Sequence, residues 1–262
     1  MALSGREGYE GGDAQGAQAL IQVVNYHKIY RDLVAVSGLS FEVRSGAILG
    51  LVGPNGAGKT TTLRALAGII PPTGGRLLIA GHDIVADPVA AKRQLAYVPD
   101  DPKLFDTLTV WEHLRFIASA YAVDGWQPKA EQYLQTFELI EKRDTVTQEL
   151  SRGMRQKVAI ACAYLHDPRV ILFDEPLTGL DPHGIRTLKA TIVARAAEGA
   201  SVIVSSHLLS LVENLCTDLL ILRRGRSLFC GPVQEARERF GVLGQESLED
   251  VFFRAIEEQE AS

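Results

Sequence analysis

The sequence predicts an α/β fold with a helical insertion, and three observations support this. Short apolar runs of strand length alternate with longer stretches of helical periodicity along the 262 residues. One of these runs leads directly into a glycine-rich turn at residues 53–58. Between about Thr109 and His166 the strand-like runs give way to helical patterns alone. We therefore expect a sheet flanked by helices, with a helical segment inserted into it.

The predicted strands fall into two groups. The first would form a small sheet near the N-terminus and comprises Leu20–Val24, Leu39–Val43 and Leu77–Ala80. The second belongs to the main α/β layer and comprises Ala47–Val52, Leu95–Val98, Val170–Phe173, Ser201–Ser205, Leu219–Leu222 and Leu228–Cys230.

Helices are predicted where apolar residues recur at helical spacing and where capping or breaking residues mark the ends. They comprise Lys59–Ala67, a helix that begins after Thr109, Pro128–Ile140, a helix that begins after Ser151, Pro232–Phe240 and Leu248–Glu257. The polar, glycine-rich residues 1–19 lack the apolar core of a signal peptide, and we interpret them as a flexible leader.

Composition and charge exclude several classes of protein. Hydrophobic residues make up 46% of the chain and charged residues 23%, which is typical of a globular domain with a buried core. The formal net charge is −5 and no basic block stands out, so a nucleic-acid partner is not expected. No apolar run reaches the roughly 18–20 residues of a transmembrane helix. The cysteines Cys162, Cys216 and Cys230 form no CxxC pair, which suits a reducing compartment.

The glycine-rich turn has the residues and the context of a phosphate-binding loop. Residues 53–60 match GxxxxGK[ST] in full, between a predicted strand and a predicted helix. Such glycines let backbone amides surround phosphate oxygens, and the helix N-terminus adds positive potential. Lys59 can reach the β- and γ-phosphates, and the Thr60 hydroxyl can ligate Mg²⁺. The predicted nucleotide contacts here are Gly53, Pro54, Asn55, Gly56, Ala57, Gly58, Lys59, Thr60 and Thr61.

A second motif is the pair of carboxylates that ends the apolar strand Val170–Phe173. Asp174 fits the role of holding Mg²⁺, and Glu175 is then placed to orient or deprotonate the attacking water. The simpler interpretation is a solvated strand end. The phosphate-binding loop upstream favours the catalytic interpretation.

Five further motifs occur in the order that one family of ATPases shows. They are Tyr30, 23 residues before Gly53; Tyr-Val-Pro-Asp at 97–100; Leu-Ser-Arg-Gly-Met at 150–154; Leu180-Asp181; and Ser205-Ser206-His207. Each is weak alone. Together they resemble the ATP-binding cassette of ABC transporters over about Leu20–Val233, with its adenine-stacking aromatic residue, Q-loop, LSGGQ signature, D-loop and switch histidine.

The resemblance implies an architecture for the whole chain. The fold would be a P-loop NTPase core with a mixed sheet, an N-terminal antiparallel β subdomain and an inserted helical subdomain. The ATPase domain would cover residues 20–240, with the helical subdomain at about 103–166, and a helical tail would follow at 241–262.

The resemblance also assigns roles to two residues at the nucleotide. Tyr30 would stack on the base, although Tyr26 is a competing aromatic residue and ordinary packing remains an alternative. His207 would bond the γ-phosphate and join Lys59 and Glu175 as a catalytic residue.

Three residues would act across an interface between two cassettes, according to the resemblance. Ser151 and Gly153 would contact the γ-phosphate held by the second cassette, and Asp181 would act at the same interface. The alternatives are a plain helix cap for Ser151 and a turn residue before Pro182 for Asp181.

The sequence departs from the family pattern in the signature and in the Q-loop. In the signature, Arg152 replaces a glycine and Met154 replaces the glutamine; Arg152 could simply point to solvent. Asp100 occupies the position where the Q-loop usually has glutamine, and we expect it to join Thr60 and Asp174 as a metal ligand. The alternative is an acidic turn at residues 100–102.

The family pattern implies partners that this chain does not contain. A second cassette would complete the ATP sites. Separate membrane-spanning subunits would dock at Pro102–Trp111. The apolar residues of this segment either contact the membrane subunits or only pack the insertion; they are Leu104, Phe105, Leu108 and Trp111. Residues 151–157 and 248–252 resemble the bacterial drug, antibiotic and polymer exporter branch. An importer cassette and a soluble, non-transport ATPase are the alternatives. We expect a peripheral protein on the cytoplasmic face of the plasma membrane.

Overall fold

The computed structural model describes residues 18–206 and 214–240. Residues 1–17 of the predicted leader (1–19), His207, the residues that follow it up to 213, and the predicted tail at 241–262 lie outside this range. The predicted end of the leader is wrong at Ala19, which pairs with Arg44 and begins the first strand. Within it, the α/β fold with two sheets and a helical insertion is confirmed.

The smaller sheet is antiparallel and begins with a long hairpin. Its strands lie in the order β2-β1-β4-β5 and comprise β1 (Ala19–Tyr30), β2 (Leu33–Arg44), β4 (Gly74–Ile79) and β5 (His82–Asp83). The hairpin strands have 12 residues each, far longer than the apolar runs predicted. Strand pairing continues past the register shifts around Tyr26 into the largely exposed outer half of the hairpin, and this half carries Tyr30 away from the apolar core.

The larger sheet is mixed, as the fold class predicts. Its order is β10-β9-β3-β8-β7-β6, and all pairs are parallel except β9 with β10. The strands are β3 (Ile48–Val52), β6 (Leu95–Val98), β7 (Val170–Asp174), β8 (Ser201–Ser206), β9 (Asp218–Arg223) and β10 (Arg226–Pro232). Because parallel strands end at the same edge, the segments after β3, β6, β7 and β8 meet there.

Helices outside the insertion pack against this core. They are α1 (Lys59–Leu66), α2 (Pro88–Arg93), α6 (Pro182–Ala197) and α7 (Val233–Phe240). Helix α6 was not predicted from the sequence, although it has 16 residues. Its buried positions are Gly184, Leu188, Ile192 and Ala196, a stripe too narrow to stand out in the sequence.

The insertion consists of three helices and two 3₁₀ turns. These are α3 (Val110–Tyr121), α4 (Gln127–Thr136), turns at Ile140–Lys142 and Thr147–Glu149, and α5 (Arg152–Tyr164). Thr109 caps α3 as predicted, in a reciprocal capping box with Glu112. The second helix ends earlier than Ile140, since Glu138 adopts a left-handed conformation with φ of 57°.

Candidate functional site

A cleft of about 410 Å³ lies where the carboxyl ends of the parallel strands approach the long hairpin. Its walls come from four places: the hairpin end, the phosphate-binding loop, the segment after β6 and the end of β7. The lining residues are Tyr30, Leu33, Val34, Ala35, Pro54, Asn55, Gly56, Ala57, Gly58, Lys59, Thr60, Thr61, Asp100, Asp174 and Glu175. Most of the residues predicted to contact nucleotide or metal therefore share one cleft.

The phosphate-binding loop joins β3 to α1 through a residue that must be glycine. Gly58 precedes α1 with φ of 106°, and a β-carbon there would lie 2.9 Å from the carbonyl oxygen of Ala35. The first amides of a helix have no acceptor within it, and α1 begins at the cleft wall. This is the arrangement in which helix N-termini bind phosphate.

Lys59 lies within the loop, close to a carboxylate. Its Nζ donates to the carbonyl oxygens of Gly53 at 2.5 Å and Pro54 at 3.4 Å and lies 3.9 Å from Oε1 of Glu175. Burial lowers the pKa of Lys59, while the charges of Glu175 and Asp174 act in the opposite direction. A triphosphate would offer this ammonium anionic partners in place of neutral carbonyl groups.

Asp174 is buried and accepts hydrogen bonds from three hydroxyl groups. Its Oδ1 accepts from Thr60 at 3.1 Å and from Ser205 at 2.8 Å, and its Oδ2 accepts from Tyr97 at 3.3 Å. Burial, together with the charge of Asp174, raises the pKa of Tyr97 to about 12, so this phenol remains a donor at neutral pH.

The donor set around Asp174 fits Mg²⁺. Carboxylate and hydroxyl oxygens are the ligands that this hard cation prefers, and it typically takes one or two carboxylates plus substrate phosphates. In the described parts of the chain no group of three or more His, Cys, Asp or Glu residues forms a cage that would suit another metal. Thr60, Asp174 and Asp100 carry such oxygens, and all three line the cleft.

Glu175 adopts a strained backbone conformation that Ser205 stabilises. Its φ is 51°, in the left-handed region that costs a non-glycine residue about 1–2 kcal/mol. Its N–H donates to the hydroxyl of Ser205 at 3.0 Å and to the Ser205 carbonyl oxygen at 3.2 Å. The side chain is only 16% exposed and faces Lys59. Ser205 therefore positions both acidic residues.

Ser205 was not among the residues predicted for the site. In the sequence it belongs to the predicted strand end that leads to His207. Its signal in the sequence is a hydroxyl group at the carboxyl end of an apolar strand. Only the pairing of β8 with β7 shows that this hydroxyl reaches Asp174 and Glu175.

The two candidate aromatic residues occupy different environments. Tyr26 is fully buried within the smaller sheet, whereas Tyr30 is 42% exposed and lines the cleft. The ammonium of Lys28 lies 4.8 Å from the centre of the Tyr30 ring and donates to the carbonyl oxygen of Pro71. The geometry thus leaves Tyr30, not Tyr26, available to a base.

Ser151, Gly153 and Asp181 do not line the cleft of their own chain. Ser151 caps α5 by accepting from the N–H of Met154 at 3.3 Å, and Asp181 caps α6 by accepting from Gly184 at 2.5 Å. That hydrogen bond is the main reason why the pKa of Asp181 is lowered. Ser151 and Asp181 are exposed. Each therefore caps a helix and also faces outward.

Gly153 is required by close packing. A β-carbon on Gly153 would lie 2.6 Å from the carbonyl oxygen of Gly179, so the start of α5 packs directly against the turn that precedes α6. The signature segment and the D-loop segment are therefore in contact within one chain.

Comparison with known proteins agrees with these features. The family described as ABC transporter matches residues 36–178. The ABC-type transporter ATP-binding protein EcsA of Bacillus subtilis is 34% identical over 225 residues, which cover 85% of this chain and 91% of EcsA. Nod factor export ATP-binding protein I of Cupriavidus metallidurans is 33% identical over 219 residues, which cover 83% of this chain and 72% of that protein.

A solved structure supports the same assignment. An ATP-binding subunit of an ABC transporter superimposes with a TM-score of 0.86 at 33% identity, and the match covers 90% of this chain and 99% of that one. The cleft, the motifs around it and these relatives show that the chain belongs to the ABC transporter family, as an ATP-binding subunit with ATPase activity coupled to transport.

Proposed function

We propose that the chain binds Mg²⁺ and ATP in the cleft, pairs with a second cassette around the nucleotide, and powers export through separate membrane-spanning subunits. The observation that carries this proposal is that Lys59 of the phosphate-binding loop faces Glu175 at the end of β7 at 3.9 Å, in the cleft that Asp174 also lines.

Each charged or metal-binding residue of the cleft has a chemical role in the proposal. Thr60, Asp174 and Asp100 would hold Mg²⁺, which neutralises phosphate charge when it is bound. Lys59 binds the phosphates. Glu175 orients the attacking water and accepts its proton, and Ser205 fixes the backbone from which Glu175 projects. His207, outside the described residues, is proposed as a second catalytic contact to the γ-phosphate.

The base and the ribose would meet the hairpin end of the cleft. Tyr30 offers one ring face to the base, while Lys28 occupies a position over the ring. Leu33 and Val34 add exposed apolar surface to the same wall. Stacking and apolar contact would together bind the base.

A second cassette would complete each ATP site. Ser151 and Asp181 are exposed and lie outside the cleft of their own chain, so both are accessible to the nucleotide of another, although Asp181 also lies 3.8 Å from Nζ of Lys157. The N-terminus of α5, with the Ser151 hydroxyl, offers donors to an anion.

Separate subunits would supply the membrane path. None of the helices in residues 18–206 and 214–240 is long and apolar enough to cross a bilayer. Among the residues expected to contact the membrane partner, Leu104 and Trp111 pack against the helical insertion, Trp111 with its ring 4.8 Å from that of Trp126. Phe105 instead is 55% exposed.

Phe105 belongs to a small aromatic patch that we propose as the contact for the membrane subunit. Its ring lies edge-on to that of Phe116 at 5.3 Å, and Phe116 is 48% exposed. The N–H of Phe105 donates to Nε2 of the buried His113 at 2.9 Å, which anchors the loop. An anchored, exposed aromatic pair is a typical protein-docking feature.

Export is favoured over import by the relatives. The protein from Cupriavidus metallidurans is named for Nod factor export, and residues 151–157 carry the exporter-like signature segment. We propose a peripheral location on the cytoplasmic face of the plasma membrane. The soluble, non-transport ATPase considered from the sequence does not agree with these relatives, which are transporter subunits. An importer cassette is the remaining alternative, and identifying the spanning subunit that copurifies with the chain from membranes, then measuring the direction in which it moves its substrate, distinguishes the two.

Replacing Glu175 with Gln should abolish turnover but leave ATP binding intact. Gln has nearly the same shape yet accepts no proton, so the rate should fall by about 10²–10⁴-fold. ATPase assays with equilibrium nucleotide binding measure this, and light scattering should show an ATP-bound dimer. A rate within about threefold of wild type would exclude Glu175 as the base.

Ser205→Ala should lower kcat about 10-fold or more while the ATP dissociation constant stays within about threefold, because it removes one buried hydrogen bond to each acidic residue. Ser201→Ala is the matched control, since Ser201 is equally buried on the same strand but bonds the carbonyl oxygen of Arg44. Equal kcat values in the two variants would reject the positioning role.

Mixing Ser151→Arg chains with Lys59→Ala chains should restore ATPase activity that neither variant has alone. Each heterodimer would keep one site with an intact loop from one chain and an intact signature from the other. Activity is measured against mixing ratio, with heterodimer formation verified by differential tagging. Heterodimers without activity above either parent would contradict the composite site.

Phe105→Ser should weaken copurification of the membrane-spanning subunit and leave the ATPase rate of the isolated chain unchanged, because Phe105 does not line the cleft. Phe116→Ser should act in the same direction. Ile69→Ser, at a residue of similar exposure (56%) outside this patch, is the control. Equal copurification of all three variants would place the docking surface elsewhere.

A further inference from the structure

The two charged departures from the family pattern are electrostatic partners. Nη2 of Arg152, in the signature, donates to Oδ1 of Asp100, in the Q-loop position, at 2.8 Å, although the residues are 52 positions apart. Both side chains are 48% exposed. The arginine therefore does not simply point to solvent, and the aspartate is not an unpartnered acidic turn residue.

The first turns of α5 hold the Q-loop segment at two points. Gln156, one turn after Arg152, donates from Nε2 to the carbonyl oxygen of Pro99 at 3.4 Å and is almost fully buried. Residues four apart lie on the same helix face. The Arg152–Asp100 pair is thus the outer half of a two-point contact between the signature helix and residues 99–100.

The arginine stem also touches the turn before α6. A β-carbon on Gly179 would lie 3.4 Å from Cδ of Arg152, so the side chain crosses this turn on its way to Asp100. One side chain therefore joins the signature, the D-loop turn and the Q-loop position of a single chain.

The charge balance of the cleft gives this pair a role. Asp100, Asp174 and Glu175 line the same cleft, with Lys59 as the cation beside them. Asp101 differs, since it pairs with Lys103 and does not line the cleft. Without a positive partner, the Asp100 carboxylate would repel phosphates. A metal ion beside the phosphates would attract this carboxylate. The strength of the Arg152–Asp100 pair must therefore depend on what occupies the cleft.

We propose that Arg152 is a positioning residue for Asp100, and that their pairing makes the signature helix sensitive to nucleotide bound by its own chain. In the nucleotide-free cleft the pair holds residues 99–100 against α5. Mg²⁺ with nucleotide draws the Asp100 carboxylate away from Arg152 and loosens that contact. This inference rests on the proposed function, namely that the cleft binds Mg²⁺ and ATP.

The test is a double-mutant cycle on the full chain with Asp100→Asn, Arg152→Gln and the double variant. Thermal unfolding is followed at low ionic strength, at concentrations where light scattering reports a monomer, without ligand and with Mg²⁺ plus a non-hydrolysable ATP analogue. Controls are Asp101→Asn, the neighbouring carboxylate, and Arg115→Gln, an exposed arginine on α3 paired with Glu112.

Without nucleotide, each single variant should lower the unfolding midpoint by about 1–3 °C and the double variant should lower it no further, as expected for a half-exposed pair. With Mg²⁺ and the analogue, the non-additive part of the midpoint shifts should fall to less than half of its value without nucleotide. Additive single effects would overturn the pairing, and an interaction that nucleotide leaves unchanged would show a merely structural contact. A wild-type midpoint that the ligand does not raise would instead overturn the proposed function, and the nucleotide-free cycle would still support or overturn the pairing.

Discussion

Asp174 accepts hydrogen bonds from hydroxyl groups on three different elements: Thr60 at the start of α1, Tyr97 on β6 and Ser205 on β8. A buried carboxylate is costly unless such partners stabilise it. The same bonds that stabilise the charge therefore fix the phosphate-binding loop and two neighbouring strands relative to β7. The geometry of the cleft wall follows from this one buried group.

Ser205 extends that arrangement to Glu175, the proposed catalytic carboxylate. Its hydroxyl donates to Asp174 and accepts from the N–H of Glu175, so a single small side chain positions the proposed metal ligand and the proposed proton acceptor. Because Ser205 precedes His207 by two residues, a shift at the end of β8 would reach Asp174, Glu175 and the segment leading to His207 together. Strain at Glu175 is tolerated here because the surrounding bonds define it.

Much of the fold was predictable because its buried strands are continuous apolar runs and its motifs have fixed spacing. The phosphate-binding loop and the Asp174-Glu175 strand end were found in this way, and the structure places them in one cleft. Helix α6 was missed because its buried residues recur only every fourth position. The roles predicted for individual site residues, including Tyr30, Ser151 and Asp181, remain predictions.

Contacts between distant segments could not be predicted from the sequence. The outer half of the hairpin is held by strand pairing, and its apolar side chains Ile29, Leu33 and Val34 are exposed, so β1 and β2 were predicted too short. Arg152 and Asp100 were each recognised as departures from the family pattern. Their pairing depends on how α5 packs beside the end of β6, which no local pattern encodes.

If the base binds against the hairpin wall of the cleft as proposed, this wall also bears on which nucleotide the protein hydrolyses. Tyr30, Leu33 and Val34 present a ring face and aliphatic surface, and the Leu and Val side chains carry no group that could read the hydrogen-bonding edge of a base. Discrimination by contact area alone separates large heterocycles from small ones but distinguishes adenine from guanine poorly. Which purine nucleotide occupies the cleft would then depend largely on the relative concentrations of these nucleotides in the surrounding solution.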